Sequence, residues 1–176
     1  MVTKTALPPR FVWTATDKQL AFLSRTEDDV FFGGAKYGAK TDALLAWKIS
    51  RRQKYPKSRG LFVRRELAEV VKQGAAWDRM QEFCGSSCKY NQTDHVVYFP
   101  NGSVEEFGHC QNENDKMKYQ GAQYDDIGFD QLEQFTESQA TFISAACRVP
   151  ESRNVTDSAG NKIQARIRST GNPGDT

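Results

Sequence analysis

A glycine-rich turn followed by Lys-Thr constrains the fold of this chain more than any other feature. The run Asp29–Phe32 before the turn predicts a short buried strand, and Asp42–Trp47 after it predicts a helix. Strand, glycine-rich turn, Lys-Thr and helix in this order are typical of a loop that binds phosphate. The glycines let successive backbone N–H groups point inward, and the helix N-terminus adds positive potential.

The residue types in this turn predict a nucleotide site. Lys40 would reach the β- and γ-phosphates, and the Thr41 hydroxyl would coordinate Mg²⁺. Ala39 stands where the usual pattern has its last glycine, so we expect it to strain the loop and to weaken nucleotide binding. The alternative is a glycine-rich turn that binds no ligand. The predicted nucleotide-binding residues of the turn are Gly34, Ala35, Lys36, Tyr37, Gly38, Ala39, Lys40 and Thr41.

The stretch Tyr124–Phe135 supplies a second set of candidates. An apolar strand that ends in Asp130 would place this carboxylate opposite the turn, where it would hold Mg²⁺ directly or through water. ATP-hydrolysing enzymes usually place Glu at the next position. Gln131 stands there instead, and it can orient a water but cannot take its proton. Glu133 is the nearest carboxylate that could substitute, although two residues further on it should point in a different direction.

Three further side chains have alternatives that the sequence leaves open. Arg64 and Arg65 end a predicted strand, where they would contact a phosphate or a neighbouring subunit, or make ordinary salt bridges. Gln19 lies in a predicted helix before the turn. Its amide would hold the edge of an adenine, because it can donate and accept at once, or it would face solvent.

The rest of the chain predicts alternating helices and strands. Thr16 is expected to cap a helix that runs to Leu23. The basic run Arg51–Arg59 should end the helix after the turn, either as a solvated turn or as a DNA contact. Further predicted elements are a strand at Gly60–Arg65, a helix at Glu66–Phe83, a β-hairpin across Lys89–Phe107, a loop with a helical turn at Asn112–Gly121, a helix at Glu137–Ala146 and a last strand at Gln164–Thr170.

The length of 176 residues fits one core domain, expected at residues 16–176 after an N-terminal arm at residues 1–15. A formal net charge of +2 gives no strong field toward nucleic acid or membrane, and no apolar run is long enough to cross a bilayer. Without a signal-peptide pattern, the four cysteines should be reduced. The residues Cys84, Cys88, His109 and Cys110 leave open a zinc site or ordinary thiols.

Five motifs in this order resemble the ATPase domain of the large terminase subunit of tailed bacteriophages. They are Phe32–Leu44, Phe62–Arg65, Lys118–Gly121, Ile127–Thr136 and Arg168–Pro173. The resemblance covers roughly Thr16 to Pro173. It implies an α/β fold, namely a P-loop NTPase of the additional-strand type. Such a fold has a central, mostly parallel sheet flanked by helices, and here the β-hairpin would be an insertion.

The resemblance also implies roles for individual residues. Lys40 and Thr41 would bind phosphate and Mg²⁺, and Asp130 would be the Walker B carboxylate. Thr170 and Asn172 match the coupling motif that senses the γ-phosphate. By the same resemblance Gln19 would read adenine, and Arg64 or Arg65 would contact a phosphate or a neighbouring subunit.

By this resemblance the chain would be an ATP-binding and ATP-hydrolysing motor domain that uses ATP and Mg²⁺. It would drive double-stranded DNA into a procapsid in the host cytoplasm. The portal protein and the small terminase subunit would be its partners, and several copies would form a ring on the procapsid. The C-terminal nuclease domain of the family has no counterpart in the sequence, so no nuclease activity is expected. The alternatives are a non-hydrolysing nucleotide-binding or assembly module, and another P-loop motor such as a helicase-like ATPase.

Overall fold

The computed structural model describes residues 13–34 and 39–172, in which strands and helices alternate. The strands are β1 (Asp29–Gly33), β2 (Arg59–Arg64), β3 (Lys89–Asn91), β4 (Val96–Tyr98), β5 (Val104–His109), β6 (Asp126–Phe129) and β7 (Arg166–Gly171). The α-helices are α1 (Asp17–Leu23), α2 (Lys40–Lys54), α3 (Leu67–Val71), α4 (Ala76–Cys84) and α5 (Glu137–Ser144). Short 3-10 helices cover Gly85–Ser87, Glu113–Tyr119 and Leu132–Gln134.

The strands form a sheet in the order β1-β7-β6-β2-β5-β4-β3. Pairing is parallel from β1 through to β5, and the β3–β4 hairpin extends the far edge in antiparallel fashion. Strand β7 therefore lies between β1 and β6, which confirms the predicted additional-strand arrangement. Because parallel strands end at the same edge, the carboxyl ends of β1, β7, β6 and β2 meet there. Open α/β sheets bind their ligands at such an edge.

Apolar side chains cover both faces of the sheet and hold its strand ends in place. Helices α1, α2 and α4 pack on one face, with a core that includes Phe22, Leu44, Leu45, Trp47, Phe62, Trp77, Met80 and Phe107. Helix α5 and the Glu113–Tyr119 turn cover the other face, with a core that includes Leu61, Val63, Tyr119, Ile127, Phe129 and Ile143. Leu61, Phe62 and Val63 alternate between the two cores, as expected for a central strand.

The single helix predicted at Glu66–Phe83 is wrong, because the structure has two helices, α3 and α4, separated by a turn. Lys72 at the end of α3 is extended, with φ −60° and ψ 153°. Gly74 has a φ of 76°, in the left-handed region that glycine adopts most freely. The turn at Lys72–Ala75 therefore interrupts the helical pattern. It brings the start of α4 beside the start of α2, where Thr41, Gly74 and Ala76 line one cleft.

Two arginines of the basic run Arg51–Arg59 depart from the expectation of a solvated turn or a DNA contact. Lys48, Arg51 and Arg52 project from one face of α2 and are buried against the sheet. All three contact Asp126, the first residue of β6, with Arg51 Nε at 3.0 Å from Oδ2. Lys48 Nζ also lies 3.0 Å from Glu105 Oε1 on β5. Arg51 and Arg52 of the run, together with Lys48 before it, thus form a buried ionic cluster, whereas the basic residues further along the run are exposed.

The ionic cluster depends on a glycine in the strand beneath it. Gly60 on β2 pairs in register with Asp126 on one side and with Glu105 on the other. A Cβ atom at Gly60 would lie 2.8 Å from Lys48 Nζ and 2.9 Å from Arg52 Nη1. The missing side chain therefore leaves the space in which the cations sit between the two carboxylates.

The two carboxylates of the cluster have opposite pKa shifts. Burial raises the pKa of Glu105 to about 7, although Lys48 and Arg52 act against it. Burial also works to raise the pKa of Asp126, but Arg52, Lys48 and Arg51 together lower it well below its ordinary value. Asp126 is thus the ionised partner of the three cations at neutral pH, whereas Glu105 gains and loses its proton near neutrality.

We predict that Glu105 makes folding stability depend on pH. Its pKa is about 7 in the folded chain against an ordinary value of 4.5. Between these two pH values the folded chain keeps the proton on Glu105, whereas the unfolded chain releases it. The contribution of this proton to the free energy of unfolding is therefore fully present below pH 4.5 and is lost as the pH rises through about 7. Glu105→Gln should remove the dependence. Relative to wild type, the variant should gain roughly 1–3 kcal/mol between about pH 5 and pH 8 in urea denaturation.

A matched control is Glu151→Gln in an exposed loop, where the difference from wild type should stay constant with pH. The prediction would be contradicted if the free energy of unfolding changed with pH in the same way in wild type and in Glu105→Gln.

Candidate functional site

A carboxylate and two hydroxyl groups converge at the carboxyl edge of the sheet. Thr41, in the first turn of α2, has its Oγ1 at 3.1 Å from both Oδ1 and Oδ2 of Asp130. Asp130 directly follows β6 and is 1% exposed. It also accepts a 2.6 Å hydrogen bond from Thr170 Oγ1 near the end of β7. The first turn of α2, the end of β6 and the end of β7 therefore meet at one carboxylate.

Lys40 joins the same group of strand ends. Its Nζ donates to the Gly34 carbonyl at 3.1 Å and to Asn172 Oδ1 at 2.9 Å. Asn172 directly follows β7, so the two residues predicted to couple, Thr170 and Asn172, contact Asp130 and Lys40 respectively. The sequence-predicted residues of the first and last motifs thus lie within hydrogen-bond distance of one another.

Ala39 and Gln19 are in contact where α2 begins. Ala39 precedes the helix with φ 46° and ψ 36°, a left-handed conformation. Gln19 is buried and its Nε2 donates to the Ala39 carbonyl at 3.0 Å, while its Oε1 accepts from the Thr16 N–H at 2.9 Å. The solvent-facing alternative for Gln19 is therefore wrong. Its amide ties α1 to the loop, and the reading of adenine stays a prediction.

Gln131 and Arg64 face the shared carboxylate. Gln131 has a left-handed backbone, with φ 60°, and its N–H donates to Thr170 Oγ1 at 3.3 Å. Its Oε1 accepts from Arg64 Nε at 3.1 Å and from Arg64 Nη2 at 2.5 Å. Arg64 also lies 3.7 Å from Asp130 Oδ2 and 3.1 Å from Glu69 Oε2. Arg64 therefore holds the Gln131 amide oxygen beside the buried carboxylate.

Glu133 and Arg65 lie further out on the loop after β6. The Oε2 atom of Glu133 is buried and has no hydrogen-bond partner among the described residues. This atom packs against the backbone of Gly171, because a Cβ there would come within 2.5 Å of it. Arg65 Nη1 donates to the Gln134 carbonyl, which is an ordinary structural contact. Glu133 thus points at the end of β7 whereas the Gln131 amide faces Arg64, so the two side chains point in different directions, as expected.

Two other groups of predicted residues have different outcomes. Ala35, Lys36, Tyr37 and Gly38 lie outside the described residues, as does most of the predicted N-terminal arm. The zinc alternative is wrong, because Cys88 belongs to the core on one face of the sheet and Cys110 to the core on the other. Within residues 13–34 and 39–172, no group of three or more potential ligands is placed to hold a metal of that kind.

One ion pair beside the site has no signal in the sequence. Arg79 on α4 binds Asp42 in two places, with Nε–Oδ1 at 3.1 Å and Nη2–Oδ2 at 2.7 Å. This hydrogen bonding raises the pKa of Arg79. The contact fastens α4 to the residue that follows Thr41. Nothing in the local pattern around either residue could have paired them, since only the tertiary fold brings α4 to α2.

None of the helices in the described ranges combines the length and the apolar character needed to cross a bilayer.

The sheet order and the grouping of strand ends define the α/β fold of the additional-strand P-loop NTPases. Comparison by sequence finds no family model and no characterised protein that matches. Solved structures do match. The large terminase of a thermophilic bacteriophage superposes with a TM-score of 0.69 over 90% of this chain at 14% identity. The chain has the fold of a phage large-terminase ATPase domain.

Large terminases of two other phages also match this fold. The HK97 bacteriophage large terminase matches with a TM-score of 0.66 at 7% identity, and the ATPase domain of the Thermus phage P74-26 large terminase with 0.58 at 14%, each over 90% of this chain. The chain spans 39% of the first of these three proteins, 33% of the HK97 protein and 66% of the P74-26 domain. Structures of the first protein with ADP and with ATP-gamma-S match with a TM-score of 0.62 each.

We predict that Ala39→Gly relaxes the loop before α2. A left-handed backbone costs an L-residue about 1–2 kcal/mol, and glycine avoids this cost. The variant should unfold at a higher urea concentration than wild type and should bind ATP more tightly in calorimetry. The matched control is Ala46→Gly inside α2, which should lose roughly 1 kcal/mol because glycine disfavours helix. Weaker ATP binding by Ala39→Gly would show that the loop accommodates alanine without strain.

Proposed function

We propose that this chain is the ATP-driven motor domain of a DNA-packaging terminase large subunit. The observation that carries the proposal is the convergence of Lys40, Thr41, Asp130 and Asn172 at one sheet edge. In this proposal residues 34–41 are the phosphate-binding Walker A loop, and Asp130 is the Walker B carboxylate. The α/β fold, the additional strand and the match to large-terminase ATPase domains all support it.

Thr41 and Asp130 fit a Mg²⁺ ion. Both offer hard oxygen donors, which Mg²⁺ prefers, and the two carboxylate oxygens already converge on the hydroxyl. Asp130 is buried, so it holds its place with little freedom. When bound, Mg²⁺ would neutralise charge on the β- and γ-phosphates.

The remaining residues would bind, orient and sense the nucleotide. Lys40 would transfer its hydrogen bonds from Gly34 and Asn172 to the phosphates, which would release Asn172 and so signal occupancy. Gln131 would orient the attacking water, while Arg64 beside it would stabilise charge that develops on the γ-phosphoryl group.

The proposed role in DNA packaging requires partner molecules. Double-stranded DNA would be the cargo, with the portal protein and the small terminase subunit as partners and a ring of copies on the procapsid. Its support is the fold shared with proteins named as the large terminases of the thermophilic phage and of HK97. A packaging assay that combines this chain with procapsids and ATP tests it, and DNA that stays accessible to nuclease would contradict it.

Gln131 favours a second candidate, a nucleotide-binding module that does not hydrolyse ATP. A carboxylate at this position could accept the proton of the attacking water, whereas an amide cannot. General-base assistance is worth about 10²–10⁴-fold in rate. An assay of ATP turnover in the presence of DNA separates the two candidates.

Lys40→Ala should weaken ATP binding by roughly 1.5–3 kcal/mol, the range for hydrogen bonds to charged groups. Calorimetry with a non-hydrolysable ATP analogue and Mg²⁺ measures the change. The control is Lys89→Ala on β3, at the opposite edge of the sheet from β1, which removes the same charge. Equal affinity of Lys40→Ala and wild type would refute a phosphate role for this lysine.

Gln131→Glu should raise ATP turnover and leave affinity nearly unchanged, because it adds a proton acceptor where the amide oxygen now faces Arg64. Glu133→Ala should have a small effect on turnover, since the Glu133 carboxylate packs against Gly171. Steady-state turnover with ATP and Mg²⁺, with the rest of the motor present, measures both. Loss of activity in Glu133→Ala together with no gain in Gln131→Glu would reverse the two assignments.

A further inference from the structure

A basic cleft opens beside the proposed γ-phosphate position. Its walls are the start of α2, the end of β2 and the turn between α3 and α4, and its volume is about 270 Å³. Sites that enclose a drug-sized ligand are about 300–1,000 Å³. The cleft therefore suits a small ion better than a whole nucleotide. Its lining residues include Thr41, Asp42, Arg64, Lys72 and Arg79.

One cation of this basic cleft is available to an anion. Arg64, Lys72 and Arg79 line the cleft. Arg64 is paired with Glu69, and Arg79 with Asp42 and Glu82, whereas Lys72 has no ion pair among the described residues. Lys72 is an exposed residue in the turn that separates α3 from α4. An anion in the cleft would therefore pair with Lys72, beside the two arginines that already bind carboxylates.

Arg64 and Thr41 connect the basic cleft to the nucleotide site. Thr41 lines the cleft and bonds to Asp130, and Arg64 lines it while it donates to Gln131. Hydrolysis of ATP breaks the bond between the γ-phosphorus and the bridging oxygen. Water supplies the new oxygen, and ADP, orthophosphate and a proton result. The orthophosphate would therefore form beside two side chains that also line the cleft.

The geometry points to the basic cleft as a binding site for orthophosphate on its way out of the nucleotide site, with Lys72 as the residue that receives it. This inference rests on the proposed function, because it takes the orthophosphate to be the product of ATP hydrolysis at that site. The cleft holds the anion while ADP remains in place. Release of the two products is then ordered by separate contacts, Lys40 for ADP and Lys72 for orthophosphate.

Titration of inorganic phosphate into the full chain saturated with ADP and Mg²⁺ tests the site, with calorimetry or ³¹P line broadening as the readout. Lys72→Glu should weaken phosphate binding about tenfold, as expected for the loss of a charged hydrogen bond. Lys72→Arg should keep binding near the wild-type value, since it keeps the charge. The matched control Lys89→Glu, on strand β3 at the far edge of the sheet, should also leave it unchanged. ADP affinity should be the same in all four proteins.

Two outcomes overturn the inference: equal phosphate affinity in Lys72→Glu and wild type, or no saturable phosphate binding to the wild-type ADP complex. Failure of ADP to bind is a different result, because the ADP titration is separate. It would refute the proposed function and with it the product role of the cleft. Phosphate binding that depends on Lys72 in nucleotide-free protein would then identify an anion site of another purpose.

Discussion

The buried ion pairs between α2 and Asp126 are the constraint on which the rest of this structure depends. Taking charges out of water is costly, and the removal of one partner from a buried pair costs about 3–5 kcal/mol. Lys48, Arg51 and Arg52 therefore keep one alignment of α2 on β6. That alignment sets where the first turn of α2 lies, and so where Thr41 meets Asp130 at the opposite end of the same strand.

Helix α2 and strand β6 are thus joined at both ends, by ion pairs at the amino end of the strand and by a hydroxyl–carboxylate contact at its carboxyl end. Strand β7 completes the arrangement, because Thr170 and Asn172 reach Asp130 and Lys40 from the next strand. A site built in this way needs no long loop to bring its groups together. The parallel register of β1, β7 and β6 is sufficient.

The sequence predicted the parts of this site that local chemistry defines. The fold could be predicted from the turn before α2, from Asp130 after an apolar strand, and from the order of the motifs. Each motif can be recognised from residues that are neighbours in the sequence. Arg51 and Arg52 were wrongly expected at a solvated turn or a DNA contact, because only the fold places Asp126 beneath them. The break at Gly74 and the pairing of Arg79 with Asp42 were missed for the same reason. Gln19 was correctly predicted to lie in a helix before the turn, but its role was left open. Its burial excludes the solvent-facing alternative.

Gly60 carries a consequence for how the molecule can move. Because this position has no side chain, α2 sits close enough to the sheet for its cations to interlock with Asp126 and Glu105. Helix α2 therefore cannot slide or tilt on the sheet without separating buried charges, and we expect it to stay fixed relative to β6. If the proposed function holds, movement driven by the nucleotide is therefore expected outside these ion pairs, for example in the α3–α4 turn.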